Sequence, residues 1–198
     1  MERDQLRELH YITPISNLSS ILQRGLLSHA LAMKVRHVSV AKPEVQERRT
    51  KVMVPHGLPL HRYVNLYFCA RNPMLFVRQD QHGSLAVLRI GTAVLDLPGV
   101  VISDQNAASR YARFGASPAA LRLVDFQRVF AEYWTNADDP IAEWRNKSIK
   151  CAEVLVPDRV DAKLILGAYV SGQEAHEAIV KLAAAMTVTI NPNLFFLK

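Results

Sequence analysis

The amino-acid sequence predicts an α+β fold, and three observations lead to that class. The composition is ordinary for a globular chain, with 49% hydrophobic and 21% charged residues. Short runs rich in aromatic and β-branched residues indicate strands, whereas capped segments with apolar residues at helical spacing indicate helices. These two kinds of segment do not alternate regularly, so a doubly wound parallel sheet is not predicted. The length of 198 residues fits a single domain, 1–198.

The N-terminal half contains one predicted helix and three predicted strands. Ser16 or Asn17 can cap the helix, and Gly25 stands where the helix would end. The apolar residues of this helix have near-helical spacing: Leu18, Ile21, Leu22 and Leu26. Strands are predicted over Tyr63–Ala70, which Asn72-Pro73 ends, over Leu85–Ile90 and over Val100–Ser103.

The C-terminal half begins with two predicted helices, each opened by a proline. One runs from Ser117-Pro118 to about Trp134, and the other runs from Asp139-Pro140 to about Lys147. The remaining predicted elements are strands over Ala152–Val156 and Leu164–Val170, a helix over Gln173–Ala185 and a strand over Thr187–Ile190.

The charge balance is basic, with 24 Lys and Arg against 18 Asp and Glu and a formal net charge of +6. Residues 28–62 show no sustained hydrophobic period, and only Glu44 and Glu47 oppose their basic side chains. A long segment of this kind in a compact domain is usually functional or mobile. Charge alone favours a phosphate-bearing partner, although a solvated surface has the same composition. The basic residues available to a single-strand groove are Lys34, Arg36, Lys42, Arg48, Arg49, Lys51 and Arg62.

Several classes of protein lack their usual signatures in this sequence. No apolar run approaches the roughly 20 residues of a membrane span, and the charged stretch Met1–Leu9 is unlike a secretory signal. Two cysteines, Cys69 and Cys151, are too few for a disulfide framework, so a reducing cytoplasm is expected. His56, His61 and Cys69 do not have zinc spacing, and no metal is expected. Glycine-rich phosphate loops and the GxSxG elbow are absent from the sequence.

Glu153 is the most informative residue, because it lies in the otherwise apolar run Cys151-Ala152-Glu153-Val154-Leu155-Val156. In a strand, Glu153 shares one face with Cys151 and Leu155, and the residues between them take the other face. A carboxylate there either lies at a cleft or is buried with a partner, since an unpaired buried charge is costly. The alternative is an edge strand whose Glu153 points to water or pairs with an arginine.

A second candidate is the cluster Gln46-Glu47-Arg48-Arg49-Thr50-Lys51, whose arginines offer planar donors to phosphate or carbonyl oxygens. A solvated helix face is the alternative for this cluster. Tyr67 is a third candidate, either as a stacking platform or as part of the core. Strand alternation puts Tyr67 and Asn65 on the face opposite Leu66 and Phe68.

Taken in order along the chain, these segments resemble the DarT family, bacterial toxins that ADP-ribosylate single-stranded DNA. The order and spacing of the matching pieces carry the resemblance, which spans almost the whole chain. The pieces are Ile12-Thr13, Ile15-Ser16-Asn17-Leu18, residues 21–27, Gln46-Glu47-Arg48-Arg49 with Val54-Pro55, residues 60–68, Arg71-Asn72-Pro73-Met74-Leu75 and Ala152-Glu153-Val154-Leu155-Val156.

The resemblance implies an ADP-ribosyltransferase fold, in which two small mixed or antiparallel sheets with flanking helices surround a cleft for NAD. It implies that Glu153 is the catalytic glutamate, which orients the nicotinamide-side ribose and stabilises the cationic sugar. Arg49 would be the catalytic arginine, contacting the NAD phosphates and helping to activate the acceptor base. Tyr67 would stack on nicotinamide, and Thr13 and Asn17 fall on the NAD-binding segment.

The sequence departs from the family pattern at two places. The family often places Tyr before His ahead of Ile-Thr, whereas this chain has His10-Tyr11, so either ring could fill that cofactor-binding position. The family's Thr-Asp-x-His after the third strand stands here as Ser103-Asp104-Gln105-Asn106. That loop is near the acceptor, and the family modifies thymine in some branches and guanine in others, so both bases stay open.

The resemblance implies a bacterial, cytoplasmic toxin that uses NAD as its co-substrate. Its implied partners are single-stranded DNA and a macrodomain antitoxin of the DarG type, which removes the modification. Two alternatives stay open: the same fold could modify RNA or protein, or the chain could be a non-catalytic module that binds single-stranded nucleic acid. Binding without NAD consumption would select the module. A nuclease is not predicted, because the sequence shows no acidic cluster for metal ions.

Overall fold

The computed structural model describes residues 1–197, and this part of the chain combines ten strands with seven α-helices. The strands are β1 (Glu8–Pro14), β2 (Leu26–Leu27), β3 (Tyr63–Tyr67), β4 (Leu85–Gly91), β5 (Val101–Ser103), β6 (Phe114–Ala116), β7 (Glu153–Pro157), β8 (Arg159–Val160), β9 (Ile165–Val170) and β10 (Val188–Ile190). The helices are α1 (Leu18–Arg24), α2 (His29–Ala32), α3 (Pro43–Thr50), α4 (Pro73–Phe76), α5 (Phe126–Phe130), α6 (Pro140–Ile149) and α7 (Gln173–Leu182).

Eight strands form one mixed sheet in the order β10-β9-β4-β1-β3-β7-β5-β6, and β2 pairs with β8 in a second, two-stranded sheet. The pair β9–β10 is parallel, and the other pairs are antiparallel. In the middle of the large sheet, β1 and β3 share a single register pair, His10 with Tyr67. The large sheet is therefore two four-stranded halves joined at one point. The α+β prediction is confirmed, and the two expected small sheets correspond to these halves.

A polar cluster reinforces the junction between the two halves of the sheet. His10 Nδ1 lies 3.2 Å from the carbonyl oxygen of Phe68, and its Nε2 lies 3.3 Å from the carboxylate of Glu8. The hydroxyl of Tyr169 and the guanidinium of Arg89 donate to the same carboxylate, at 2.8 and 2.7 Å. Burial opposes ionisation of Glu8, but these hydrogen bonds outweigh it and lower its pKa to about 2. A charged Glu8 thus anchors the imidazole that reaches across to β3.

Most of the predicted elements are present with shifted ends. The first helix ends at Gly25, whose φ of +78° and distance to Val160 leave no room for a side chain. Asn17 takes the N-cap position of that helix, but its side chain does not cap it. Asp139 does cap α6, by accepting hydrogen bonds from the backbone of Ile141 and Ala142.

The predicted helix from residue 118 to about 134 is wrong. The structure has a short 3-10 segment, Ala119–Leu123, then an extended Val124, and only then the five-residue helix α5. Asp125 caps the start of α5 by accepting a hydrogen bond from the backbone N–H of Arg128. The apolar residues that predicted one helix therefore belong to two separate helical segments. The strands β1, β2, β6 and β8 had no counterpart in the prediction.

The side chains of β3 and β7 alternate between two faces, as predicted. Those on one face pack in the main core, and those on the other face lie on the side of the sheet that carries the polar residues. Leu66 and Phe68 from β3 and its continuation pack in the largest apolar cluster with Ala152, Val154 and Val156. Tyr67 and Cys151 belong to a different, smaller cluster on the other side. Within residues 1–197, no helix is long and apolar enough to cross a bilayer.

Lys150, directly after α6, is almost fully buried, with 1% of its surface exposed. Its Nζ donates to the carbonyl oxygens of Val129 at 3.1 Å and Ala131 at 2.5 Å, and it lies 3.6 Å from Sγ of Cys69. These bonds tie the end of α6 to the end of α5, immediately before the chain enters β7. The position of Glu153 therefore depends in part on this ammonium group.

Lys150→Met should lower the free energy of unfolding by about 2–4 kcal/mol, because Met fills the volume but leaves two carbonyl oxygens without their donor. Urea unfolding of the parent and the variant measures the difference. The matched control is Lys163→Met, whose side chain is 78% exposed and should change stability by less than about 0.5 kcal/mol. Equal, small effects of both substitutions would contradict the role given to the Lys150 bonds.

Candidate active site

A cavity of about 480 Å³ lies beside the junction of β1 and β3. Its wall combines Tyr11 and Thr13 of β1, Asn65 and Tyr67 of β3, and Arg49 of α3. The volume is in the range of about 300–1,000 Å³ that small-molecule and cofactor sites occupy. The single-pair junction thus places side chains from both halves of the sheet around one space.

The cavity wall is electropositive. Five cationic side chains and no carboxylate line it in the described part of the chain. The cations are Lys42, Arg48, Arg49, Arg78 and Lys147. Such a wall favours an anionic ligand, and a dinucleotide with two phosphate groups fits both its charge and its volume.

Arg49 and Glu153 form a buried ion pair at this wall. The guanidinium donates to both carboxylate oxygens, with Nη1 to Oε1 at 3.1 Å and Nη2 to Oε2 at 3.0 Å. Glu153 is fully buried and also accepts the backbone N–H of Ala107 at 3.2 Å. Burial opposes the charge of Arg49, but attraction and hydrogen bonding by Glu153 outweigh it and raise the pKa of Arg49.

The ion pair is layered, with Arg49 between the cavity and Glu153. Arg49 lines the cavity and is 7% exposed, whereas Glu153 does not line it. On the register of the sheet, Glu153 lies between Tyr67 of β3 and Ser103 of β5. The carboxylate is therefore fixed where the ladders of β7 with β3 and β5 end, and the guanidinium covers it.

Tyr67 extends from β3 next to Glu153 and lines the cavity together with Asn65, on the face that alternation predicted. Burial, and secondarily the charge of Glu153, raise the pKa of Tyr67 well above its ordinary value, so its ring stays neutral. Burial likewise raises the pKa of the Cys151 thiol, to about 12, which leaves it unreactive at neutral pH.

Of the four candidate residues in the N-terminal segment, three line the cavity and one does not. Tyr11, Thr13 and Asn17 line the cavity, but His10 does not, because its ring is held by Glu8 and the carbonyl of Phe68. Asn17 donates to the carbonyl of Val38 at 2.8 Å and accepts its N–H at 2.9 Å. Asn17 therefore holds the loop after α2 against the cavity.

The sequence did not single out several residues that the structure brings to this site. Ala107 contributes its backbone N–H, which no side-chain pattern reveals. His29 lines the cavity and stacks on His61 with ring centroids 4.2 Å apart. Burial, neighbouring histidines and Arg49 lower the pKa of both imidazoles, so both are neutral at pH 7. Trp144 reaches the wall from α6, and the signal in the sequence is a tryptophan between the charged residues Glu143 and Arg145.

No group of three or more His, Cys, Asp or Glu side chains in residues 1–197 is arranged to hold a metal ion.

Arg49→Met should lower the free energy of unfolding by about 3–5 kcal/mol, because it leaves the Glu153 carboxylate buried without its cation. Adding Glu153→Leu should recover most of this loss, since the double variant buries no charge. Urea unfolding provides the measurement, and Arg48→Met, at an exposed position, is the control with an effect below about 0.5 kcal/mol. A double variant no more stable than Arg49→Met alone would contradict this account.

Comparison with known proteins agrees with this geometry. The family model of DarT, described as a single-stranded DNA thymidine ADP-ribosyltransferase, matches residues 10–196. A DNA ADP-ribosyl transferase–DNA ADP-ribosyl glycohydrolase fusion protein of Thermosipho africanus is 30% identical over 204 aligned positions, which cover 98% of this chain. The chain spans about half (50%) of the length of that fusion protein.

Two solved structures of DarT from Thermus sp. 2.9 superimpose on most of the chain. The complex with ADP-ribosylated single-stranded DNA has a TM-score of 0.83 and 27% identity, and the match covers 96% of both chains. The complex with NAD⁺ has a TM-score of 0.78 and 26% identity, and the match covers 96% of this chain and 98% of the other. The chain therefore belongs to the DarT family of single-stranded DNA thymidine ADP-ribosyltransferases.

Proposed function

We propose that this chain transfers ADP-ribose from NAD to a thymine base of single-stranded DNA. The observation that carries the proposal is the buried Arg49–Glu153 pair at the wall of a cationic, NAD-sized cavity. Family membership supports the reaction, and the thymidine specificity of the family model favours thymine over guanine. Modification of RNA or protein, and binding without catalysis, are the alternatives to this function.

Glu153 is proposed to stabilise the positive charge that develops on the nicotinamide-side ribose as its bond to nicotinamide breaks. A fixed carboxylate in a site that excludes water does this well, because it needs no reorganisation during the reaction. In the structure, both carboxylate oxygens are bonded to Arg49. The ribose can therefore reach Glu153 only if Arg49 yields part of this interaction.

Arg49 is proposed to contact the phosphates of NAD and to polarise the acceptor base. Phosphate oxygens offer a guanidinium the same paired acceptors as a carboxylate. Binding of NAD can thus draw Arg49 toward the phosphates and uncover Glu153. Arg49 stays cationic beside Glu153, so it assists the base as a fixed charge and hydrogen-bond donor rather than as a proton acceptor.

The remaining cofactor-binding roles follow the lining of the cavity. Tyr67 is proposed to stack on nicotinamide, since it is a neutral ring next to Glu153. Tyr11 and Thr13 are proposed to contact NAD directly, while Asn17 positions the loop at Val38. His10 does not reach the cavity, so Tyr11 takes the ring position that the sequence left open between them.

In the cell, we propose that the chain is a bacterial toxin acting on DNA in the cytoplasm. Residues 1–198 would form one ADP-ribosyltransferase domain. The Thermosipho africanus relative joins a DNA ADP-ribosyl transferase to a DNA ADP-ribosyl glycohydrolase. By analogy, the antitoxin of this chain would be a macrodomain glycohydrolase that removes the modification, present as a partner or as part of a longer protein.

Glu153→Gln should reduce transfer by about 100- to 1,000-fold, because it keeps the size of the side chain but removes the charge that stabilises the cationic ribose. The assay incubates the protein with NAD and a mixed-sequence single-stranded oligonucleotide and determines the product mass. Circular dichroism shows whether the variant is folded.

Glu143→Gln is the control for this substitution, because Glu143 pairs with Lys147 on α6 and does not line the cavity. It should transfer at close to the parent rate. A folded Glu153→Gln variant with parental activity would refute the catalytic role of Glu153. A parent protein that binds the oligonucleotide and leaves NAD intact would select the non-catalytic alternative.

The basic segment 34–62 is proposed to hold the DNA backbone, and its ion pairs limit how many phosphates it can neutralise. Arg49, Lys51 and Arg62 are paired with acidic side chains. Four cations of the segment have no ion-pair partner in the described part of the chain: Lys34, Arg36, Lys42 and Arg48.

Single-strand affinity should therefore fall with salt at a log–log slope of about −2 to −3, since each neutralised phosphate contributes about −0.7. Lys42→Gln should make the slope less steep by about 0.7, measured by fluorescence anisotropy with a labelled oligonucleotide. Lys163→Gln is the control, since Lys163 lies outside the segment and the cavity lining. Duplex DNA should compete weakly, because flipping out a paired base costs a few kcal/mol. Salt-independent binding or an equal preference for duplex would contradict the single-strand assignment.

A further inference from the structure

We propose that Trp144 and Tyr111 form a stacking platform for a base of single-stranded DNA at the rim of the active-site cavity. The proposal rests on the proposed function. It adds a second DNA-contacting surface, which is separate along the chain from the basic segment 34–62. Its residues come from α6 and from the loop between β5 and β6.

The helix α6 presents apolar side chains to solvent. Ile141 is 72% exposed and Trp144 is 56% exposed, and no residue of this ten-residue helix is buried. The ring of Tyr111, 70% exposed, packs edge-on against Trp144 with centroids 6.0 Å apart and an interplanar angle of 85°. An exposed aromatic pair beside an exposed Ile141, at a helix that buries none of its side chains, forms an apolar surface of the kind that marks a binding site. The edge contact leaves a face of each ring free.

The aromatic pair is continuous with the active site. Trp144 and Ser148 line the cavity, and the carbonyl of Ser148 accepts the N–H of Asn106 at 2.9 Å. One residue further, Ala107 donates its N–H to the carboxylate of Glu153. The loop that carries Tyr111 thus contacts both α6 and the proposed catalytic carboxylate, which places the platform at the edge of the site.

The charges around the pair favour nucleic acid over an apolar protein segment. Arg110 is adjacent to Tyr111 and Arg145 is adjacent to Trp144, and neither arginine has an ion-pair partner in residues 1–197. Of the acidic residues of α6 and its cap, Asp139 accepts backbone N–H groups and Glu143 pairs with Lys147 at 2.6 Å. Exposed aromatic rings between free cations are the combination that single-strand sites use, with rings for bases and cations for phosphates.

Tryptophan fluorescence tests the platform directly. The chain has two tryptophans, and Trp134 is 8% exposed whereas Trp144 is 56% exposed. In the Trp134→Phe variant, emission comes from Trp144 alone. A single-stranded oligothymidylate should quench and shift this emission, because a base stacked on the indole replaces water at its face. Unchanged emission at an oligonucleotide concentration that saturates binding by anisotropy would overturn the proposal.

Affinity measurements provide the second test. Trp144→Ala should weaken oligothymidylate binding by about 5- to 100-fold, the loss expected for one stacked base, and Trp144→Phe should recover part of it. The salt slope should stay at the parental value, because no phosphate contact is removed. The control is Tyr133→Ala, which removes an aromatic ring that is 68% exposed but does not line the cavity. Its affinity should equal that of the parent.

Two results would overturn the platform: Trp144→Ala binding as tightly as the parent, or Tyr133→Ala weakening binding equally. Circular dichroism is measured in parallel and should be the same in Trp144→Ala and the parent, since α6 has no buried residue. These outcomes are independent of the proposed function, which fails instead if the parent binds the oligonucleotide but forms no ADP-ribosylated product.

Discussion

The bidentate ion pair between Arg49 and Glu153 is the interaction on which the site depends. It joins α3 to the strand β7, and Arg49 is the one residue of that helix that is buried. Burying either charge alone would destabilise the fold by several kcal/mol. Each residue therefore stabilises the charge of the other in this low-dielectric interior. The pair thereby holds, beneath the cavity, a carboxylate that is fixed in position before any substrate binds.

The weak junction of the large sheet explains where the cavity lies. A continuous ladder between β1 and β3 would close the space between them, whereas a single register pair allows the two halves to diverge. The divergence leaves backbone groups that must find other partners, and the His10–Glu8–Arg89 cluster supplies one such link to Phe68. His10 is thus occupied in holding the halves together, and of the two neighbouring rings only Tyr11 lines the cavity.

Local patterns in the sequence predicted some residues of this site but not others. An acidic residue inside an apolar run located Glu153, because burial of a lone carboxylate requires a partner. Nothing in the cluster around Arg49 distinguished that arginine from Arg48, since a pairing across 104 positions leaves no local trace. The helix predicted up to Trp134 is wrong, although its apolar residues have helical spacing. Asp125 caps a separate helix, α5, and the spacing alone does not reveal this interruption.

The segment of residues 38–49, which lines one side of the cavity, is held in place mainly by polar contacts. These contacts determine how the segment can respond to a ligand. Asn17 binds the backbone of Val38, Arg78 donates to the carbonyl of Val40, and Arg49 binds Glu153. Apolar packing contributes little along α3, because its one buried side chain is charged. Hydrogen bonds and ion pairs can be exchanged for equivalent bonds to phosphate at small net cost, whereas a packed apolar face cannot. A polar attachment therefore lets an anionic substrate replace internal contacts of this segment without disturbing the sheet beneath it.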